Sequence, residues 1–291
     1  MLPPFEIHEP RTLGEAAAAR RELGEDAALY AGGTELVLVM KEGLGAWSHL
    51  IDVKAIGELH ELALVAGALR IGAAVTHREL EHSALVRDRF PLLAETEAQV
   101  ANPRVRAVGT LGGNLAFAEP RSDPATTLLV YDARVTLAGP SGRRTLPLAA
   151  FLRGSYETAL APDEILAGVD VPAPPAPASG AYLKFGLHER PSVGVAALLL
   201  LARDGRTVAE ARVAVGCVAA VPLRLTALEQ SLAGAPLATL VAGVPAARTA
   251  GDALDAISDL HGSAEYKRHL VGVFVARALA AAARRATGIG R

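Results

Sequence analysis

Two glycine pairs, each followed by a polar side chain, are the residues of this sequence best suited to chemistry. They are Gly32-Gly33-Thr34 within AGGTEL, residues 31–36, and Gly112-Gly113-Asn114 within GTLGGNLAFAEPRSDP, residues 109–124. Glycine has no Cβ, so its backbone can approach a ligand closely and take up positive φ. Successive N–H groups in such a turn form a concave anion site. Each hydrogen bond to a charged group contributes about 1.5–3 kcal/mol. A helix beginning near Glu35 adds about 0.3–1 kcal/mol for a nearby anion. About four or five aimed N–H groups could therefore hold a diphosphate without any lysine. Taken singly, each pair reads more readily as a plain turn than as a ligand site. Two of them in different lobes suit a dinucleotide, whose two phosphates need two walls. The rival dinucleotide fold wants Gly-x-Gly-x-x-Gly between strand and helix, and GGTELV lacks that spacing.

Other chemistry is poorly supported. The eight histidines form no HExxH or other metal-ligand spacing along the chain, and His77 and His82 stand five apart on a predicted helix. Ser155 and Ser192 lack a nucleophile elbow. Arg104, Arg106 and Arg121 bracket the second glycine pair and can serve phosphate, a neighbouring subunit or solvent. Cys217 is the only cysteine, so an internal disulfide and a four-thiolate cluster are both excluded. It lies in the strand-like run VAVGCVAAV and reads as a buried, inert thiol. Electron transfer would thus need an organic cofactor, or metal centres on another chain. The 291 residues are 51% hydrophobic with a net charge of −2 and no basic run, which argues against nucleic acid. The segment VGVAALLLLA, residues 193–202, is too short to span a membrane. MLPPFEIHEP lacks the parts of a signal peptide, so the reading is a soluble, cytoplasmic protein.

The elements that must position the glycines follow from caps and periodicity. Thr12 with Glu15 forms a capping box and Gly24 a stop, predicting a helix over 13–23. DAALYAGG runs as a strand into the first pair, 35–42 is a short helix, and HLIDV at 49–53 is a second strand, making a parallel crossover. LALVAGALRIGAAV reads as a hairpin around Gly67. Thr76 with Glu79 opens a helix, a second covers 91–100, and a third covers 124–131. ARVTLAG and RRTLPL pair across a Pro-Ser-Gly turn, and DEILAGVDVP is a further strand. VPAPPAPASG, residues 171–180, is a linker. Beyond it AYLKFG, VGVAALLLLA and TVAEARVAVGCV form a meander turning at Asp204-Gly205. The tail, 264–285, is an amphipathic helix with Tyr266, Leu270, Phe274 and Ala278 on one face. The fold class is α+β: two lobes before the linker, and a smaller sheet-and-helix domain after it.

AGGTEL, GTLGGNLAFAEPRSDPATTLLVYDARV, EILAGVDVP and YLKFGLHERPSVGVAALLL together resemble the FAD-binding medium subunit of the molybdenum hydroxylases, the carbon monoxide dehydrogenase and xanthine dehydrogenase type. The resemblance covers nearly the whole chain. It implies a two-lobed FAD-binding domain of the vanillyl-alcohol oxidase/p-cresol methylhydroxylase type over 1–176, with a break near 57. Over 177–291 it implies the C-terminal domain typical of such medium subunits. It implies that Ala31, Gly32, Gly33, Thr34 and Glu35, with Thr110, Gly112, Gly113 and Asn114, hold the FAD diphosphate, with Leu111 packing behind the second loop. Ser122 and Asp123 match a Ser-Asp beside the flavin; helix capping is their other reading. Lys184 matches a lysine directed at the isoalloxazine, where its charge would favour an anionic reduced ring; its other reading is a solvent-facing strand lysine. RPSVGVA supplies no aromatic to cover the flavin, and no histidine or cysteine is placed to bond it, so non-covalent FAD is expected.

The partners implied are a small subunit with two 2Fe–2S clusters and a large molybdopterin subunit, in a dimer of heterotrimers. The reading is then an electron-transfer subunit, with FAD taking electrons from 2Fe–2S and passing them to an external acceptor. A standalone flavin-dependent reductase or oxidase of the same fold, and a non-catalytic nucleotide-binding protein, remain alternatives.

Overall fold

A computed structural model of the chain describes residues 2–175, 177–186 and 190–288. Helix Leu13–Leu23 starts where the Thr12 side chain accepts from the Glu15 amide and stops at Gly24, at φ +58°. The Glu15 carboxylate reaches back to the Arg11 amide instead of Thr12, so only half of the predicted box forms. The helix buries Leu13, Ala16 and Ala17, a stripe small enough to sit between two sheets.

The first sheet is parallel, in the order Glu6–His8, His49–Asp52, Ala27–Tyr30. Its outer strand Glu6–His8 was not predicted. The predicted crossover is present, with helix Leu36–Lys41 between Ala27–Tyr30 and His49–Asp52. The second sheet is antiparallel and runs Leu62–Val65, Ala68–Gly72, Ile165–Pro172, Arg134–Gly139, Gly142–Pro147. Both predicted hairpins lie in it.

Between strands Ala68–Gly72 and Arg134–Gly139 the chain is helical. His77–His82 carries the complete Thr76–Glu79 capping box. Ala84–Arg89 and Pro103–Val108 were not predicted. Pro91–Glu97 ends before the predicted residue 100, and the chain then turns through Ala101 at φ +39°. Helix Asp123–Val130 is buried along its whole length because it lies between helix Pro91–Glu97 and the C-terminal sheet.

That last sheet is the predicted meander: Ala178–Phe185, Val193–Leu201, Val208–Gly216 and a short Leu223–Arg224. Strand Val193–Leu201 is buried at every position but Leu201. Helix Ala264–Ala286 and helix Asp123–Val130 both contact it, which explains a continuous apolar run in place of alternation. Each Leu or Val so buried contributes about 1.5–3 kcal/mol. The strands take both ends of the predicted linker, leaving 173–177, of which residue 176 lies outside the described residues.

The tail helix departs from its predicted face. Leu270, Phe274 and Ala278 are buried, but Tyr266 is 43% exposed. Lys267 turns inward instead, its Nζ 2.8 Å from an Asp259 carboxylate oxygen and donating to the Cys217 carbonyl at 3.3 Å. Cys217 is buried as expected, and burial pushes its thiol up. Among the described residues no helix is long and apolar enough to cross a membrane.

Candidate functional site

Strand Ala27–Tyr30 delivers the first glycine pair to the C-terminal end of the parallel sheet. A Cβ on Gly32 would stand 2.1 Å from the Val108 carbonyl oxygen and 2.8 Å from Gly109 Cα. Only glycine lets the two chain segments touch there. Gly33 has φ +69°, the left-handed region, and a Cβ on it would meet the Tyr30 ring at 2.4 Å. The carbonyl of Gly33 accepts from Val37, opening helix Leu36–Lys41. Among the described residues, the N–H groups of Gly32, Gly33, Thr34 and Glu35 donate to no acceptor.

The second pair is built differently. It is no loop: Gly112 and Gly113 lie in the first turn of helix Leu111–Phe117. The Thr110 side chain caps that helix by accepting from the Gly113 amide at 3.0 Å. Leu111 N–H donates to Val75, Gly112 N–H to Ala73 and Asn114 N–H to the Thr110 carbonyl, at 3.0, 3.0 and 2.9 Å. The expectation that these amides are aimed at a ligand is therefore corrected, because all four already have acceptors. Neither glycine here has positive φ. Gly112 is needed for packing, since a Cβ would stand 2.4 Å from that of Ala73.

The two segments nevertheless share one cavity of about 440 Å³. Residues 31–35, Thr110, residues 112–114, Ser122 and Asp123 line it. Leu111, the first residue of that helix, is fully buried. Lys184 is not among the lining residues. The size falls within the roughly 300–1,000 Å³ usual for small-molecule sites. Leu160, Ile165 and Leu166 give it an apolar wall.

Ser122 and Asp123 use their side chains in ways a capping role does not describe. Ser122 is the N-cap of helix Asp123–Val130 by position but makes no side-chain cap. Its hydroxyl donates instead to Asn114 Oδ1 at 2.6 Å, tying the second segment to this helix. Asp123 accepts from the Tyr182 hydroxyl at 2.5 Å and from Lys184 Nζ at 2.7 Å. Tyr182 and Lys184 are two apart on strand Ala178–Phe185, so both point to this face. Lys184 also donates to the Gln99 carbonyl at 2.6 Å, so it does not face solvent. Burial pushes the Asp123 carboxyl up, and the Lys184 ammonium opposes that shift. Burial likewise drives the Tyr182 hydroxyl well up, reinforced by the Asp123 charge.

Three polar groups at the cavity were not singled out in the sequence as its lining. His77 is 3% exposed, and its Nδ1 lies 2.6 Å from Glu97 Oε2. Glu97 is fully buried, and its Oε1 has no hydrogen-bond partner among the described residues. The Thr76 capping box was the available signal, because it fixes His77 as the first helical residue. Glu119 accepts from Arg121 and from the Tyr156 hydroxyl, both at 2.7 Å. Arg190, from beyond the C-terminal strand Ala178–Phe185, donates to Glu119 and lies 3.1 Å from a Glu35 carboxylate oxygen. Burial works to raise the Glu119 carboxyl, but Arg121, Tyr156 and Arg190 outweigh it and hold it low. Of the three arginines around the second segment, Arg121 lines the cavity, Arg106 pairs with Glu81 at 2.9 Å and Arg104 is exposed.

Unpaired donors on one wall, an apolar floor and a missing Cβ at Gly32 suit an extended ligand with an acceptor-rich centre. Residues 3–174 match the family described as FAD binding domain in molybdopterin dehydrogenase, and residues 189–282 match CO dehydrogenase flavoprotein C-terminal domain. The chain is 36% identical over 287 residues to the carbon monoxide dehydrogenase medium chain of Hydrogenophaga pseudoflava, covering 97% of this chain and 98% of that one. The solved carbon monoxide dehydrogenase of Hydrogenophaga pseudoflava lacking the Mo-pyranopterin moiety superposes with a TM-score of 0.90 at 35% identity, over 98% and 99% of the two chains. Quinoline 2-oxidoreductase from Pseudomonas putida 86 superposes with a TM-score of 0.91 at 29% identity, again over 98% and 99%.

Proposed function

The chain belongs to the family of FAD-binding subunits of molybdopterin dehydrogenases, and from that membership we propose that it is the electron-transfer subunit of a molybdenum hydroxylase. In this reading it receives electrons from a 2Fe–2S partner subunit and passes them to an external acceptor, while the substrate chemistry takes place on a large molybdopterin subunit. Bound FAD supplies a carrier that accepts electrons singly and releases them in pairs. The observation that carries the reading is the set of amides at Gly32–Gly33–Thr34–Glu35, unpaired among the described residues, on the cavity wall pressed against Val108 and Gly109.

The chain's own residues divide the work. The free amides of residues 32–35 hold the FAD diphosphate. Thr110, Gly112, Gly113 and Asn114 form the opposite wall by shape, with Leu111 fixed behind them. Ser122 holds Asn114 in place. Asp123 holds Lys184 and Tyr182 in a fixed arrangement at the cavity edge, so the lysine acts on the flavin through the Asp123 charge. Leu160, Ile165 and Leu166 exclude water from the apolar wall.

The fold type that fits is that of vanillyl-alcohol oxidase and p-cresol methylhydroxylase, supported by two sheets of different kind flanking one cavity. We divide the chain at 176, with a lobe break near 57; the family matches end at 174 and resume at 189, in keeping with that division. The assembly proposed is a cytoplasmic dimer of heterotrimers with non-covalent FAD.

Purification from the source organism tests the reading. The expected result is one FAD on this chain, with iron, sulfide and molybdenum only on two co-purifying chains. A chain that purifies alone and whose flavin is reduced directly by a small substrate overturns it in favour of a standalone flavoenzyme.

A further inference from the structure

The strand pair Glu6–His8 and His49–Asp52 carries three side chains that the flavin reading leaves without a task. In the parallel register Glu6 stands opposite His49, and His8 opposite Ile51. Residues two apart on a strand share a face, so Glu6 and His8 project on the same side. His49 joins them there: its Nδ1 lies 3.1 Å from His8 Nε2 and 3.6 Å from a Glu6 carboxylate oxygen. The three atoms all lie within 4.8 Å of one another.

A tetrahedral zinc ion with bonds of about 2.0–2.2 Å has ligand-to-ligand edges of about 3.3–3.6 Å. Two of the three edges are thus already near the required length. We propose that Glu6, His8 and His49 form a site for a borderline divalent cation of the Zn²⁺ class. Two imidazoles and one carboxylate supply three ligands and water supplies the fourth. The Glu6 side chain is 76% exposed and that of His49 25% exposed, so the cation reaches the site from solvent. The carboxylate offsets part of the charge that two neutral imidazoles cannot.

The ion would clamp the three-residue outer strand to the middle strand of its sheet. His49 pairs with Ala27, three rungs from the Tyr30–Asp52 pair that precedes the glycine loop. At about 3.3 Å per residue that is roughly 10 Å along the sheet. The clamp is therefore read through metal content and stability, independently of flavin content.

The test uses the tag-free, flavin-loaded assembly. Zn²⁺ is titrated in competition with a chromophoric chelator, and Co²⁺ binding is followed by difference spectra. The expected result is saturable binding of about one ion per copy of this chain, with a tetrahedral Co²⁺ spectrum and a Zn²⁺-dependent rise in melting temperature. His8→Ala and His49→Ala should each weaken binding by about tenfold or more, since even an outer partner of a metal ligand is worth that much. Glu6→Gln, on an exposed side chain that folding does not need, should weaken binding without changing the metal-free melting temperature. Absence of saturable binding, or wild-type affinity in all three variants, overturns the site. Flavin content should be unchanged throughout.

Discussion

Among the described residues, the main chain at Gly32-Gly33 keeps its donors free, whereas at Gly112-Gly113 each amide from Leu111 to Asn114 already has an acceptor. The first pair sits outside regular structure, with Gly33 at φ +69°. The second sits in a helix, and its first glycine is there because Ala73 leaves no room for a Cβ. A missing side chain thus serves two physical ends. It exposes backbone polarity to a ligand in one place and lets a helix press against a sheet in the other. Which end applies depends on where the N–H groups go, and that is a tertiary fact.

The comparison breaks most visibly at Gly32, where the two regions meet. Gly32→Val places its Cβ against the Val108 carbonyl oxygen, a main-chain atom that cannot swing aside. Such overpacking costs about 3 kcal/mol, at the upper end of its usual range. Separation of the segments should also empty the proposed FAD site. The flavin-to-protein absorbance ratio and the thermal melt should both fall. A variant with full flavin and an unchanged melt would show that the joint does not depend on this contact.

A second, weaker joint is ionic. Arg190 reaches Glu35 at the end of the first segment and Glu119 just past the second. Burial alone would raise the Glu119 carboxyl, but Arg121, Tyr156 and Arg190 hold it below its ordinary range. A group whose folded pKa is depressed contributes stability above its unfolded value, about 4.3 for glutamate, and loses it as pH falls through the folded value. The melting temperature of the wild type should therefore fall more steeply than that of Glu119→Gln as pH drops below about 5. Parallel curves would show that Glu119 adds nothing to the joint, leaving main-chain contact as the whole of it.

Much of this was legible in the residues. The Thr12 cap and Gly24 stop bounded the first helix, and Thr76 with Glu79 opened another. The strand runs of the meander were long and apolar enough to stand out. Strand Glu6–His8 was not legible, because three residues carry no period and its partner lies some forty positions away. Helix Leu111–Phe117 was hidden by its own glycines: their low helix propensity is overridden by the Thr110 cap and by acceptors on Val75 and Ala73. The inward turn of Lys267 in place of Tyr266 depends on Asp259 and the Cys217 carbonyl, which no helical period encodes. At the cavity the glycines announced themselves. The His77–Glu97 pair and Arg190 did not, because each is brought there by a different element.

The finest test of the comparison is Gly113→Ala. In a helix interior alanine is favoured over glycine by about 1 kcal/mol. The added Cβ would meet only Thr110 Oγ1, at 2.9 Å. That hydroxyl is the cap of the same helix, and loss of such a cap costs about 1 kcal/mol. The two effects nearly cancel, so the melting temperature should hardly move. Flavin retention then reports on one thing, the surface that Gly113 presents to the cavity. Near-normal retention would leave the second pair as a wall that positions by shape and the first as the one that binds. Loss of flavin at an unchanged melt would mean that the ligand lies against Gly113 too closely for a methyl group. The two pairs, unlike in their hydrogen bonds, would then be alike in approaching the ligand with bare backbone.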